Sequence, residues 1–170
     1  MTHQLNSMSS LPPHPPVALQ RDDCRRRIQQ LPRKAQQVFL LSRLDQLPYA
    51  TIAQVLELDV ESVERKMVRV LLQCNEASGT SADQALRWYV HLQSPLATAS
   101  QRIEFRHWLD AAPQHLNAFQ DAERLWRMLE APAARMGASG WHRRKRRVYI
   151  GWLALTALLC GLLVTAEAFT

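Results

Sequence analysis

Apolar residues recur at helical spacing through most of the chain, and the pattern changes character only at its two ends. From Asp23 to Cys74 the spacing predicts four short helices. Ile28 and Leu31 close the first. Pro32 opens the second, in a first turn where its missing N–H costs nothing, and Ala35, Val38, Phe39 and Leu41 line that helix's buried side. The third runs from about Tyr49 to Leu56, with Tyr49, Ile52, Ala53 and Leu56 on one face. Asp59 is placed to cap the fourth, whose Val60, Val63, Met67, Val70 and Leu71 form another stripe.

The polar stretch "CNEASGTS" (74–81) interrupts the pattern, and three more helices follow. One runs from Ala82 to about Gln93, with Ala85, Trp88, Tyr89 and Leu92. The next runs from Ala99 to about Asp110, with Ile103, Phe105, Trp108 and Leu109. The last starts at Pro113 and carries Leu116, Phe119, Ala122, Trp126 and Leu129. Ser81 with Gln84, and Thr98 with Gln101, have the spacing of a capping box. Trp108 and Trp126 read as core, whereas Trp88 and Leu92 are placed for a partly exposed binding face. His115 has no clustered partner and reads as a packing or capping residue rather than a ligand.

The ends differ. The Pro-rich start, with "LPPHPP", lacks backbone donors and apolar bulk, so a disordered arm is expected. Val148 to Ala166 holds no charged residue and is long enough to cross a ~30 Å hydrocarbon core as a helix. Arg143, Arg144, Lys145, Arg146 and Arg147 immediately before it mark that side as cytoplasmic, and Tyr149 and Trp152 suit the interface. A buried C-terminal helix is the other reading of this segment. The expected divisions are an arm (1–22), a helix-turn-helix domain (23–74), a linker (75–81), a helical bundle (82–131), a basic juxtamembrane linker (132–147) and a transmembrane helix (148–167). The fold class is all-α: a small four-helix helix-turn-helix domain, a three- to four-helix bundle and one C-terminal transmembrane helix.

The net charge of +6 owes most to the basic run before the apolar segment, so it is weak evidence for nucleic acid. Cys24, Cys74 and Cys160 are isolated, without metal or disulfide spacing, and the histidines are scattered. No Gly-rich loop suggests a nucleotide. No cofactor, metal or catalytic residue is expected, and the chain does not read as an enzyme.

The third and fourth helices, joined by "ELD", have the proportions of a helix-turn-helix, whose second helix enters the major groove. Glu61, Ser62, Glu64, Arg65, Lys66 and Arg69 lie on its outer face as candidate DNA contacts: Arg and Lys for phosphates or guanine edges, Glu for cytosine. The same pattern fits a small bundle with a solvated outer face.

On Leu31-Pro32, Val38-Phe39-Leu40, Tyr49, Ile52-Ala53 and Val63-Glu64, this half resembles region 4 of extracytoplasmic-function sigma-70 factors, closest to the FecI-like iron-uptake type. The resemblance implies that residues 61–69 face a −35 element and that promoter DNA and RNA polymerase are partners. Two positions depart from the family: Glu57 stands where Gly is usual after the turn leucine, and Asp59 replaces the usual Ser-type cap. With about 20 residues before Asp23, no polymerase-gripping region 2 is expected, so initiation by this chain alone is not.

The second half resembles the N-terminal cytoplasmic domain of FecR-type anti-sigma factors. "ADQALRWYVHL" supplies the alanine-rich helix with a Trp. Phe105, Trp108, Leu109, Pro113, His115, Ala118 and Phe119 match an aromatic–Pro–His run that closes on Leu125-Trp126. The resemblance implies binding of a sigma-70 family factor, either the chain's own region-4 module or a separate protein, with Leu86, Trp88, Tyr89 and Leu92 as sigma-binding candidates. It also implies a bacterial inner-membrane, single-pass protein with a cytoplasmic N-terminus, and a sigma/anti-sigma hybrid that lacks the large periplasmic domain of FecR-like proteins. The alternative is a membrane-tethered, sigma-like DNA-binding regulator.

Overall fold

A computed structural model describes residues 17–77 and 79–143. Among them are eight α-helices and a 3₁₀ turn: α1 (Val17–Gln29), α2 (Arg33–Arg43), α3 (Tyr49–Leu56), α4 (Val60–Cys74), α5 (Thr80–His91), α6 (Ala99–Ala111), α7 (Pro113–Met128), α8 (Glu130–Gly137) and the 3₁₀ turn Trp141–Arg143. The described part is all-α, as the periodicity predicts. No helix among the described residues is long and apolar enough to cross a membrane, and the predicted span at 148–167 lies outside them.

The first lobe forms where the stripes demand it. Ile28, Val38, Phe39, Leu40, Leu41, Ile52, Leu56, Val63, Met67, Val70 and Leu71 are all essentially inaccessible to solvent. Leu40 joins the buried set because α2 is covered on two sides, by α4 and by the C-terminal segment. A sequence stripe drawn for one partner cannot show that second covering.

The second lobe is thinner. α5 and α7 pack closely, and α6 lies on α7 without burying any residue of its own fully. An aromatic stack takes the place of an aliphatic core. Phe105 sits 4.8 Å from Phe119 and 5.6 Å from Trp88, ring centroid to centroid, and the Trp108 and His115 rings lie parallel at 4.5 Å. His115 also places Nδ1 2.7 Å from the Trp108 carbonyl oxygen, which makes it a packing residue. The box of Thr98 and Gln101 is complete, with Gln101 N–H donating to Thr98 Oγ1 at 3.2 Å and Thr98 N–H to Gln101 Oε1 at 2.9 Å.

Several boundaries differ from expectation. α1 begins at Val17, so the last residues assigned to the arm are helical, and Asp22 within them pairs with Arg135 of α8 at 2.7 Å. α5 begins at Thr80 behind Gly79, whose φ of 144° suits only glycine; Ser81 falls inside the first turn and forms no capping box. The stretch expected as a juxtamembrane linker contains most of α8 and the 3₁₀ turn. α8 buries Pro132, Ala133 and Met136 against the first lobe, and the 3₁₀ turn packs on α2. Ala and Pro give a weak apolar signal, which is why this helix is hard to see in the sequence.

The two lobes share one hydrophobic core, running from Cys24 in α1 to Met136 in α8 and including Ala85, Leu86 and Val90 of α5. The second half of the chain clasps the first. α5 lies along α4, α7 reaches α4, and α8 with the 3₁₀ turn closes over α1 and α2.

Candidate nucleic-acid interface

The helix-turn-helix is built from α3, a tight turn and α4. α3 ends in a Schellman arrangement: Leu58 N–H donates to the Ala53 carbonyl at 2.9 Å and Glu57 N–H to the Gln54 carbonyl at 3.3 Å. This requires a left-handed residue, and Glu57 adopts φ 53°, ψ 56° despite its Cβ. The departure from glycine noted in the sequence therefore leaves the turn geometry intact. Asp59 then caps α4, accepting from Ser62 N–H at 2.6 Å and from Ser62 Oγ at 2.9 Å. Those two bonds hold its carboxyl below the usual carboxylate range.

The candidate DNA contacts divide into two groups. Glu61, Arg65 and Arg69 are exposed and Ser62 and Lys66 half-exposed, so five of the six line an accessible face of α4. Glu64 is not available in the same way, because its side chain is only 16% exposed and accepts from or ion-pairs with His91 Nδ1 of α5 at 3.1 Å. Arg65 is accessible but engaged. Its guanidinium donates to Ser62 Oγ at 2.6 Å and lies 3.4 Å from Glu61 and 3.7 Å from Asp59. A phosphate approaching Arg65 competes with two carboxylates of the same helix start. A shallow groove lined by Glu61, Glu64, Arg65, Arg69, Arg87 and His91 marks where α5 runs beside the recognition helix.

Of the four sigma-binding candidates, Leu86 is fully buried in the shared core. Tyr89 is half-buried, its ring 6.0 Å from Phe119 and 6.1 Å from Trp126, and burial pushes its hydroxyl up to about 12. Leu92 is half-buried at the end of α5. Trp88 is half-buried too, but it packs on Phe105 of its own lobe, and its other ring neighbour is His91 at 6.3 Å.

The strongest contacts between the lobes come from residues the sequence did not mark as a binding set. Trp126 of α7 meets Phe39 of α2 edge-on at 6.3 Å, and the Arg43 guanidinium lies 5.0 Å above the Trp126 ring. Arg43 also donates to Glu130 at 3.0 Å. At the end of α2, the Asp45 carboxylate is 5% exposed and is held by Arg143, whose Nε donates to both oxygens at 2.9 and 3.0 Å and whose terminal nitrogen also contacts it. His142 is buried beside this pair, 3.6 Å from Asp45, and burial lowers its proton affinity. Gly137 permits the approach: a Cβ there would collide with Leu44 Cδ1 and crowd the His142 ring. Charge pairs between residues about a hundred positions apart leave no local signal in a sequence.

Among the described residues, no group of three or more His, Cys, Asp or Glu side chains could hold a metal ion.

Comparison with protein families finds two matches. Residues 21–74 match the model described as Sigma-70, region 4, and residues 83–125 match a domain of unknown function, DUF4880. No curated protein and no solved structure matches the chain. A region-4 domain is typically a non-enzymatic regulatory module that engages promoter DNA and RNA polymerase. The chain thus joins a Sigma-70 region 4 domain to a DUF4880 domain, and the first implies a sigma-factor-like role in promoter binding and transcription.

Proposed function

We propose that the DUF4880 lobe acts as an anti-sigma module toward the region-4 domain of the same chain, giving a self-restrained sigma/anti-sigma regulator. The observation that carries this reading is the common core of the two lobes, with Trp126 against Phe39 and Arg43, and α5 against the recognition helix. Burial of this kind goes beyond what a flexible tether needs. A short linker already places the lobes at an effective concentration in the millimolar range, so even modest complementarity keeps them closed. The basic run and apolar segment after residue 143 would hold the pair at the bacterial inner membrane, with both lobes cytoplasmic. Assignment to iron-uptake control, and to an extracytoplasmic-function system, rests on the resemblance to FecI-like and FecR-type proteins.

A second reading is a membrane-tethered DNA-binding regulator, and the accessibility of Lys66 and Arg69 on α4 favours it. Fluorescence anisotropy with a duplex carrying a −35-type element separates the two. Under the first reading, Trp126→Ala in the full chain tightens salt-dependent DNA binding by about tenfold or more, a change of ~1.4 kcal/mol. Equal binding by the wild-type chain and the variant contradicts self-restraint and supports the second reading.

A further inference from the structure

Two thiols unused by either reading meet inside the first lobe. Cys24 of α1 and Cys74, the last residue of α4, are 2% and 1% exposed. Cys24 Sγ lies 3.7 Å from the Cys74 carbonyl oxygen, and Cys74 Sγ lies 3.8 Å from the Cys24 carbonyl oxygen. Each sulfur thus sits against the other cysteine's backbone, across the α1–α4 packing that closes the lobe. The cysteines are 50 positions apart, so no local spacing announces the pair.

We infer that Cys24 and Cys74 form a reversible dithiol/disulfide site whose co-reactant is a small hydroperoxide. The pair is buried but not sealed. A groove between α1, the connection to α5 and α7 reaches Cys74, and its rim carries Arg21, Arg124 and Arg127 beside Glu76 and Asp121. Arg27 stands close enough for its charge to favour the thiolate of either cysteine. The arrangement is symmetric, each thiol donating to the other residue's carbonyl oxygen, so either sulfur can attack and the other resolve.

The steps balance. The thiolate of one cysteine attacks one peroxide oxygen, an S–O bond forms, the O–O bond breaks, and the departing hydroxide takes a proton and leaves as water. The other sulfur then attacks the oxidised one, the S–S bond forms, the S–O bond breaks, and the second hydroxide leaves as water with the second thiol's proton. Two thiols are oxidised, one hydroperoxide is reduced, and a dithiol reductant reverses the change by exchange. The bridge would tie the C-terminal end of the recognition helix to α1 and enclose the whole helix-turn-helix in a covalent loop.

The test uses the full chain carrying Cys160→Ser, so that only these two thiols remain. The folded protein is treated with hydrogen peroxide, free thiols are blocked with iodoacetamide in denaturant, and peptides are mapped by mass spectrometry. The expected product is one Cys24–Cys74 linked peptide pair, about 2 Da lighter than the two free peptides and lost on reduction. An oxidised chain with its bridge is also expected to melt higher by on the order of 10 °C, since a long loop is closed in the unfolded state. Full alkylation of both cysteines after peroxide treatment overturns the inference, as does oxidation of either one to sulfinic acid without a bridge. Bridging that appears only after unfolding overturns it as well. Cys24→Ser and Cys74→Ser are the second variants: with the resolving thiol gone, the remaining cysteine should accumulate as a trappable sulfenic acid, and failure in both variants contradicts the inference.

Discussion

His91 Nδ1 of α5 lies 3.1 Å from Glu64 Oε2 of α4, joining the DUF4880 lobe to the one recognition-helix candidate withdrawn from solvent. The Gln101 side chain, and then Glu64, raise the proton affinity of His91 above its ordinary value of 6.5, against the effect of burial. A raised histidine stabilises the folded, closed state fully below the unfolded value and loses that contribution as pH rises through the folded value. Arg87, Arg65 and Arg69 line the same groove. His91→Ala should therefore cost roughly 1 kcal/mol at pH 6, less at pH 9, and loosen α5 from α4. Urea unfolding of wild type and variant at both pH values checks this; equal losses at the two pH values contradict it.

His142 carries the opposite sign. Its proton affinity is lowered, chiefly by burial and against the pull of Asp45. A lowered histidine favours the folded state above the unfolded value of 6.5, and this preference fades as pH falls through it. The strap of 141–143 should thus loosen on acidification while the α4–α5 contact tightens. Hydrogen exchange resolved by segment between pH 5 and 8 should show the two regions moving in opposite directions.

Arg143→Ala leaves the nearly buried Asp45 carboxylate without its bidentate partner. A destabilisation of about 1–3 kcal/mol is expected. Asp45→Asn in the same background should recover part of it, because the uncompensated charge is gone. Thermal melts of the single and double variants decide this, and strict additivity contradicts the pairing.

Glu57→Gly relieves a left-handed residue at the end of α3. The strain relieved, ~1–2 kcal/mol, exceeds the extra unfolded-state freedom of glycine, so a net gain of about 0.5–1 kcal/mol is expected. Chemical denaturation measures it, and a loss of stability means Glu57 contributes more through its contacts than it costs in backbone.

The helices of the first lobe were legible because their apolar stripes are aliphatic and regular, and Asp59 and Pro32 stand at their starts. The turn was legible from the short "ELD" between two apolar stripes, although Glu57 stands there in place of a glycine. What stayed hidden depends on contacts between distant positions. Arg43 looks like an ordinary charged helix residue until Trp126 and Glu130 are folded over it. Asp22 with Arg135, and Asp45 with Arg143, are likewise unmatched until α8 and the 3₁₀ turn close down. Trp88 drew notice as a large aromatic with apolar neighbours, but α6 supplies its Phe105 partner. Residues 144–170, where the predicted membrane segment falls, lie outside the described part.

The most direct test of the account introduces a specific protease site into the connection at 75–79 and cleaves the folded chain there. The two lobes should remain together on gel filtration and separate only when Trp126→Ala or denaturant removes the shared core. Lobes that part on cleavage alone, each still helical by circular dichroism, would contradict the claim that the DUF4880 lobe holds the region-4 domain.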